Sequence, residues 1–443
     1  MDPIVPPTWR EPARDLPVVR DVDVLVAGGG PAGVAAAIAA ARGGAKTLLV
    51  EAAGMFGGMW TLGMQLHATC FHDKQQVIVG GIPREIIRRL EAEGAAENPE
   101  EKVRANPGCY WVGFDPEMMK CILDDMITGA GVEPLLHTIC VGAVVEEQAV
   151  RGVIVESKSG RAVLRAKVVI DCTGDADIAF FAGAPTLKGR EDGRCQPVTT
   201  TFVLGGVDRE RMVQFRQADP GALKELEREA RARGELTLPK SISYLGAPTL
   251  WPGISYHNVT RVLDVDCTRA EDLTRAEIEG RRQVREVVAF YRRYIPGFED
   301  CRLLAIAPGI GLRESRRIVG EYTLTAEDVV EARKFPDAVA RHHYYIDVHN
   351  PLGDGLEGGD TGRRCPPAGS HYEIPYRCLV PREVEQLLVA GRCISATRDA
   401  LGSLRTTVCC AQLGEAAGAA AASAVRQGIP ARKVKVSQYV KAE

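Results

Sequence analysis

Three glycines, Gly28, Gly30 and Gly33, stand in the spacing G-x-G-x-x-G, and an acid, Glu51, closes the stretch VDVLVAGGGPAGVAAAIAAARGGAKTLLVE. That set suits the binding of a dinucleotide. The first glycine permits a turn that side chains would block. The second lets backbone approach a pyrophosphate, and the third lets a helix sit close on a sheet. The acid is placed to accept hydrogen bonds from a ribose. A strand–turn–helix with chance glycines is the competing reading. A second group lies far downstream: Tyr256, His257, Arg261, Arg313, Glu314, Arg316, Arg317, His342, His343, Asp347 and His349. Arg313, Arg316 and Arg317 suit the clamping of a carboxylate or phosphate, or else form a solvated, salt-bridged helix face. The three histidines and Asp347 match no recognised metal-ligand spacing, so no metal is expected.

The elements that must position these residues are legible in turn. Val22 to Ala27 is an apolar run, as a strand buried on both faces would be. Pro31 fits the first turn of a helix, whose N-terminus offers N–H groups and a partial positive charge to phosphates. Lys46 to Val50 reads as the second strand. Gly57-Gly58 allows the chain to run close along a bound group. Trp60, His67, Cys70 and His72 beyond it either face a reactive ring or fill a mixed, partly buried loop. Ile82 to Glu93 and the stretch opened by Asp115-Pro116 have helical spacing. Val132 to His137, Ile139 to Glu146, Val150 to Glu156 and Ala162 to Ile170 have strand character, and read as a small antiparallel meander before a return strand ending at Asp171-Cys172-Thr173-Gly174-Asp175. Small residues at such a strand end can border a cofactor. From about 186 to 375 the pattern changes. A charged helix is expected over Arg209 to Arg233, and Thr274-x-x-Glu277 is a plausible capping box opening another. Gln386 to Ala390 is a last strand, followed by a loop, ISATRDALGSLRTT, and a helix closed by Gly428 and Pro430.

Composition narrows the function. The 443-residue chain is 45% hydrophobic and 26% charged, with net charge −3 and no basic tract, which argues against nucleic-acid binding. The proline-rich start reads as an extended arm, without a signal-peptide layout. The alanine-rich stretch around Gly414 to Val425 is interrupted by Glu415 and reads as a packed helix, with no membrane role. Thirteen cysteines without a C-x-x-C pair argue against a disulfide framework and a metal cluster, and reduced thiols point to the cytoplasm.

Together, VLVAGGGPAGVAAAIAAARGGAKTLLVE, GGMWTLG, VVIDCTGDADIA, GLRESRRIVGEYTLTAEDV and LLVAGRCISATRDALGSLRTT resemble the FAD-dependent oxidoreductases with a glutathione-reductase/p-hydroxybenzoate-hydroxylase type of FAD domain, and within them the broad bacterial branch. The resemblance implies an α/β fold: a Rossmann-like FAD-binding domain (residues 1–185 and 378–443) with an inserted α+β substrate or cap domain (186–377). It implies FAD as cofactor, held by Gly28, Gly30, Pro31, Ala32, Gly33, Glu51 and Ala52 on the ADP half, and by Gly58, Met59 and Trp60 along the pyrophosphate and ring. Cys140 would meet the adenine through its backbone. Thr173, Gly174 and Asp175 would border the site. Gly391 and Arg392 would stand near the ribityl chain, and Gly402, Ser403, Leu404, Arg405 and Thr406 near the flavin ring. Many FAD proteins carry Gly-Asp where this chain has Gly391-Arg392, so an acid contact there is in doubt.

The expected activity is hydride transfer from a small organic substrate to flavin N5, as a dehydrogenase or oxidase. His257 and His349 are candidate bases and Arg313 a candidate anion anchor. Glu314 occupies the third-glycine position after Gly309-Ile310-Gly311, so a built-in pyridine-nucleotide domain is not expected. The electron acceptor is then oxygen, a quinone or a protein carrier. The alternatives are a flavin monooxygenase using NAD(P)H and oxygen, and a non-catalytic flavin electron-carrier subunit. A covalent flavin link through His67, Cys70 or His72 is a further option. The oligomeric state is open, a homo-oligomer included.

Overall fold

In the computed structural model, residues 9–357 and 364–436 are described; residues 1–8 of the expected N-terminal arm lie outside them. The centre is one sheet. Strand β1 (Val18–Ala27) leads through the glycine turn into helix α1 (Pro31–Arg42), and β2 (Thr47–Val50) follows. Later come β3 (Glu133–Leu135), β4 (Ile139–Glu146), β5 (Ala149–Ser157), β6 (Gly160–Asp171) and β7 (Leu387–Val389). The order is β3-β2-β1-β6-β5-β4, with β7 also paired to β6. Strands β1, β2, β3, β6 and β7 run parallel, while β4, β5 and the first half of β6 form an antiparallel meander. The meander and the return strand are therefore one continuous chain. Arg161–Arg165 of β6 pairs with β5, and Val169–Asp171 pairs with β7.

β1 begins at Val18, before the apolar run that predicts it. Val18–Asp21 pairs with Val163–Arg165 but is exposed, so backbone hydrogen bonds hold it without a hydropathy signal.

The apolar C-terminal helix α2 (Thr407–Gln427) is long and apolar enough to cross a membrane, yet most of it is buried within the fold. It crosses α1 at backbone contact. A Cβ added to Gly414 would lie 1.9 Å from the Ala32 carbonyl oxygen, and one on Gly418 would lie 2.1 Å from that of Ala36. Small residues four apart thus let the first and last helices seal one face of the sheet.

The inserted unit has its own core. Phe202–Gly205, Ile254–His257, Ala247–Pro248 and Arg302–Ile306 form an antiparallel sheet. Helix Ala270–Tyr294 packs on it through Val284, Val287 and Tyr291, with Phe202 and Phe298. Core packing draws the boundary more tightly than residues 186–377. The strand pair Ala338–His342 and Tyr372–Pro375 lies in the same core as α1 and α2, through Val339, Ala340, Tyr372 and Ile374.

Three local expectations are corrected. The charged stretch Arg209 to Arg233 is two helices, Arg209–Ala218 and Ala222–Ala232, split at Asp219-Pro220-Gly221; proline blocks helix continuation. Thr274 does not open its helix but lies inside it, its hydroxyl donating to Ala270 O at 2.8 Å, and the helix starts at Ala270 with Glu271 and Asp272 in its first turn. The stretch after β7 is not all loop: Thr397 caps a helix over Arg398–Leu404 by accepting from Ala400 N.

Candidate active site

The glycine turn sits at the carboxyl end of β1, between β2 and β6. Gly28 has φ +97°, and a Cβ there would lie 2.5 Å from Cys172 O. A Cβ on Gly33 would lie 1.7 Å from Gly28 O, so the third glycine lets α1 close on the turn itself. Gly30 differs: a Cβ there meets nothing within 4 Å. Nothing among the described residues demands glycine at 30, whereas a group laid against the backbone would. Gly30 is also the N-cap of α1 and no side chain caps that helix, which leaves first-turn N–H groups to a ligand.

Glu51 faces this space. Its carboxylate accepts from Gly29 N and Ala53 N, each at 2.7 Å, and keeps lone pairs for ribose hydroxyls. Ala52 beside it is exposed. The segment leading to Cys140 lies alongside: His137 N donates to Ala53 O and Thr138 N to Glu51 O. Gly57 N donates to Gly29 O at 2.8 Å, and a Cβ on Gly58 would lie 2.9 Å from Gly30 Cα. The Gly57-Gly58 loop is therefore stacked on the turn, carrying Met59 and buried Trp60 with it. Trp60 Nε1 is a buried donor without a partner among the described residues, as is the Thr407 hydroxyl at the start of α2. No side chain caps α2 either. Gly391, at φ +98°, places its Cβ position 3.1 Å from Ala32 Cβ. Open backbone at Gly30, two uncapped helix N-termini and buried orphan polar atoms fit a dinucleotide with a flavin ring.

Several predicted contacts point elsewhere. Arg392 does not face the cofactor space; its guanidinium donates to Gly174 O at 2.8 Å, Leu312 O at 2.9 Å and Asp175 Oδ1 at 2.6 Å. That carboxylate of Asp175 also accepts from Ser315, so Arg392 and Asp175 brace the strand ends. Thr173 donates its hydroxyl to buried Asp171 at 2.7 Å. Ser403 donates to Tyr344 O and bonds Tyr372, both at 2.8 Å, and Leu404 is buried in the core. Gly402 packs on Asp347 and Val348. Thr406 bonds His342 Nε2 at 3.1 Å.

His257 is corrected as a base. Alternation along Ile254–His257 sends Tyr256 toward the FAD domain, where it donates to Gln65 Oε1 at 3.0 Å, and turns His257 into the cap core. His257 stacks on Phe202 at 4.9 Å and bonds Ser255 Oγ at 2.7 Å. Burial pushes its pKa down to about 3.

His349 is also corrected as a base. Arginine only donates, so Arg261 Nη2, 2.7 Å from His349 Nδ1, takes that lone pair. The network therefore assigns the proton to Nε2, which faces Asp347 Oδ2 at 3.4 Å. Burial first, then the Arg313 charge, lower its pKa to about 3. His349 is a neutral bridge from Arg261 to Asp347. Burial opposes the Asp347 charge, but His349, Arg405 and Arg313 outweigh it and hold the carboxyl below the usual range. Arg405 donates to Asp347 O at 2.8 Å and Oδ2 at 3.0 Å.

Arg313 completes the cluster. Only 9% exposed, it uses Nη1 on Pro197 O (2.6 Å) and Thr199 Oγ1 (2.8 Å). Its Nε and Nη2 donate to no atom of the described residues, and no carboxylate among them ion-pairs with it. Burial and Arg405 push its pKa down to about 9. The arginine group of the sequence is dispersed in the fold. Arg316 bonds Asp175 O and Asp177, while Arg317 bonds Ala396 O and Gly189 O. His342 and His343 likewise separate, to Thr406 and to Ser370 O. The cluster reaches the Gly57-Gly58 loop through Thr199, which pairs with Gly311, whose Cβ position is 3.2 Å from Met59 Cε. Sequence reading missed Lys240, a lone lysine in LPKSIS, which the structure sets within electrostatic reach of Arg313 and Arg261.

A flavin-type dinucleotide turn, a cap and a buried cationic cluster between them define a flavoprotein oxidoreductase. The family profile described as FAD dependent oxidoreductase matches residues 23–442. The chain belongs to that family; it is an enzyme, and FAD is its cofactor. No curated protein matches it. Among solved structures, a geranylgeranyl bacteriochlorophyll reductase-like protein from Thermoplasma acidophilum aligns at 13% identity and TM-score 0.43, over 95% of this chain and 82% of that one. The p-nitrophenol 4-monooxygenase PnpA from Pseudomonas putida DLL-E4 aligns at 11% and 0.48, over 95% and 84%. OxyS anhydrotetracycline hydroxylase from Streptomyces rimosus aligns at 11% and 0.46, over 92% and 63%. Likeness at this level says nothing of what this chain acts on.

Proposed function

We propose that this enzyme is a dehydrogenase or oxidase for a small organic anion. The observation that carries the reading is Arg313, a buried guanidinium with one fork edge unused and no carboxylate partner among the described residues. Asp347 opposes the cost of burying Arg313 only at longer range, and a substrate carboxylate on the unused edge would supply a direct, bidentate pair. Bound FAD supplies a two-electron acceptor. The glycine turn, Glu51 and the two helix N-termini would hold it. Arg313 orients the anion. Arg261, His349, Asp347 and Arg405 form a braced wall around it. Gly309 and Gly311 are pressed against Leu62 and Met59, an arrangement suited to packing and unlike a second nucleotide turn. The thirteen free thiols suit a reducing, cytoplasmic setting.

The test is anaerobic bleaching of the flavin by a panel of small carboxylates. Bleaching by one of them, with Arg313→Met raising its half-saturating concentration tenfold or more, is the expected result. NAD(P)H consumption stimulated by an aromatic substrate, with no bleaching by any carboxylate, would replace the reading with a monooxygenase.

A further inference from the structure

Residues 348–357 form a short hairpin between the cap and the FAD domain. Glu357 N donates to Val348 O at 2.8 Å, Asn350 N donates to Gly355 O at 3.1 Å, and His349 pairs with Leu356. The chain entering it is anchored. Ile346 and Val348 lie in the core shared with α1 and α2, and Gly402 packs on Asp347 and Val348. Past Val348 the packing changes. No residue from 349 to 357 joins a hydrophobic core among the described residues, and Leu352 is 59% exposed. Polar contacts hold the tip instead. From the cap, Arg261 donates to Gly353 O and to Gly355 O, the latter at 3.1 Å. Ser241 N donates to Asp354 Oδ2 at 2.9 Å, and Gln196 Oε1 accepts from His349 N at 2.9 Å. From the FAD domain, Arg398 ion-pairs with Glu357, and Arg190 reaches the same carboxylate at 3.2 Å. A segment with few buried apolar contacts opens at a small local free-energy cost.

The run of chain to which the hairpin is bonded carries two unused donors. His349 N can only donate, so the Gln196 atom facing it is the oxygen, and Nε2 points away. That Nε2 is buried without a partner among the described residues. The next residue, Pro197, gives its carbonyl to Arg313 Nη1 at 2.6 Å, and the free edge of Arg313 is the second unused donor. A buried N–H without an acceptor is costly, and a carboxylate brings acceptor oxygens. Yet Gln196 is 1% exposed and Arg313 9%. Side chains so enclosed admit a carboxylate only when a neighbouring element moves. The element bonded to this run by polar contacts, and free of the hydrophobic cores, is the hairpin tip.

We propose that residues 349–357 are a lid, which opens to admit a small carboxylate to Arg313 and Gln196 and is latched shut by Glu357 on Arg398 and Arg190. This rests on the anionic-substrate reading above. The lid gives His349 a role that a base does not fill. His349 rides on the moving segment, so its bridge from Arg261 to Asp347 is complete only when the lid is shut. Closure then excludes water and holds Gln196 by its oxygen, with Nε2 turned to the substrate.

Hydrogen exchange of the holoenzyme is followed by peptide mass spectrometry with and without oxamate, a redox-inert carboxylate. Oxamate binding is measured by calorimetry, and its association rate by stopped-flow flavin absorbance, on the wild type, Glu357→Gln and Asp354→Asn. Amides of 349–357 should exchange about tenfold or more faster than those of the buried strand Tyr372–Pro375, and slow by a similar factor with oxamate bound. Association should quicken about threefold or more in Glu357→Gln, the effect of losing a partly exposed ion pair. Asp354→Asn leaves the latch intact and loosens the tip; it should shift the rate in the same direction, and serves if the first variant fails to fold. Exchange in 349–357 as slow as in Tyr372–Pro375, exchange unaltered by bound oxamate, or an association rate unchanged in both variants would overturn the lid and leave the anionic-substrate reading standing. No binding of oxamate or of any other small carboxylate would overturn that reading as well.

Discussion

Gly30 and Gly33 separate what the fold needs from what the cofactor needs. Alanine at 33 would put a methyl carbon 1.7 Å from Gly28 O, a backbone atom that cannot swing aside. The turn or α1 must shift by more than an ångström, and the expected cost exceeds about 3 kcal/mol, above the usual range for overpacking. Alanine at 30 would meet nothing among the described residues within 4 Å, and its φ of −70° is open to any residue. The apoprotein should then be as stable as wild type, or about 0.4–1 kcal/mol more so, because the unfolded chain loses freedom. The methyl instead intrudes on the space of the pyrophosphate. At about 1–3 kcal/mol for an intruding methyl, FAD should bind roughly 5- to 150-fold more weakly. The assay pairs denaturant unfolding of the apoproteins with FAD titration by flavin fluorescence quenching. A Gly30→Ala protein that binds FAD as tightly as wild type, or that unfolds as readily as Gly33→Ala, would refute the assignment of the turn.

Two further outcomes follow from the same geometry. Arg392→Met removes three donors and leaves the Asp175 carboxylate with the Ser315 hydroxyl but no cation; with that side chain 21% exposed, a loss of about 3 kcal/mol is expected, the low end for breaking a buried pair, read as a lower denaturation midpoint of the apoprotein, and an unchanged midpoint would show that the brace is dispensable. Acid should also unfold the protein early: His67 is lowered to about 4, and His257, His342 and His349 to about 3, in each case chiefly by burial. The unfolded chain binds these protons near pH 6.5 while the folded one refuses them, so their contribution is intact above about pH 6.5 and falls with pH toward 3–4, by up to roughly 1.4 kcal/mol per histidine per pH unit. An unfolding free energy that stays level from pH 6.5 to 5 would contradict this.

The sequence alone determined the dinucleotide half of the protein. Its glycines, acid and buried strands are local signals, since each answers to backbone geometry within a few residues of itself. It also determined the packed nature of α2, whose small residues mark a face that touches backbone. The catalytic half depended on tertiary structure. His257 and His349 share a residue type and a region, yet one lies on the inward face of a strand and the other is pinned between Arg261 and Asp347. Arg313, Arg316 and Arg317 are near neighbours in sequence, and only Arg313 reaches the site, because the chain there runs extended and each side chain meets a different part of the fold. The lowered pKa of His349 comes from burial and from Arg313, distant in sequence, and desolvation is a property of the assembled interior that no local pattern encodes.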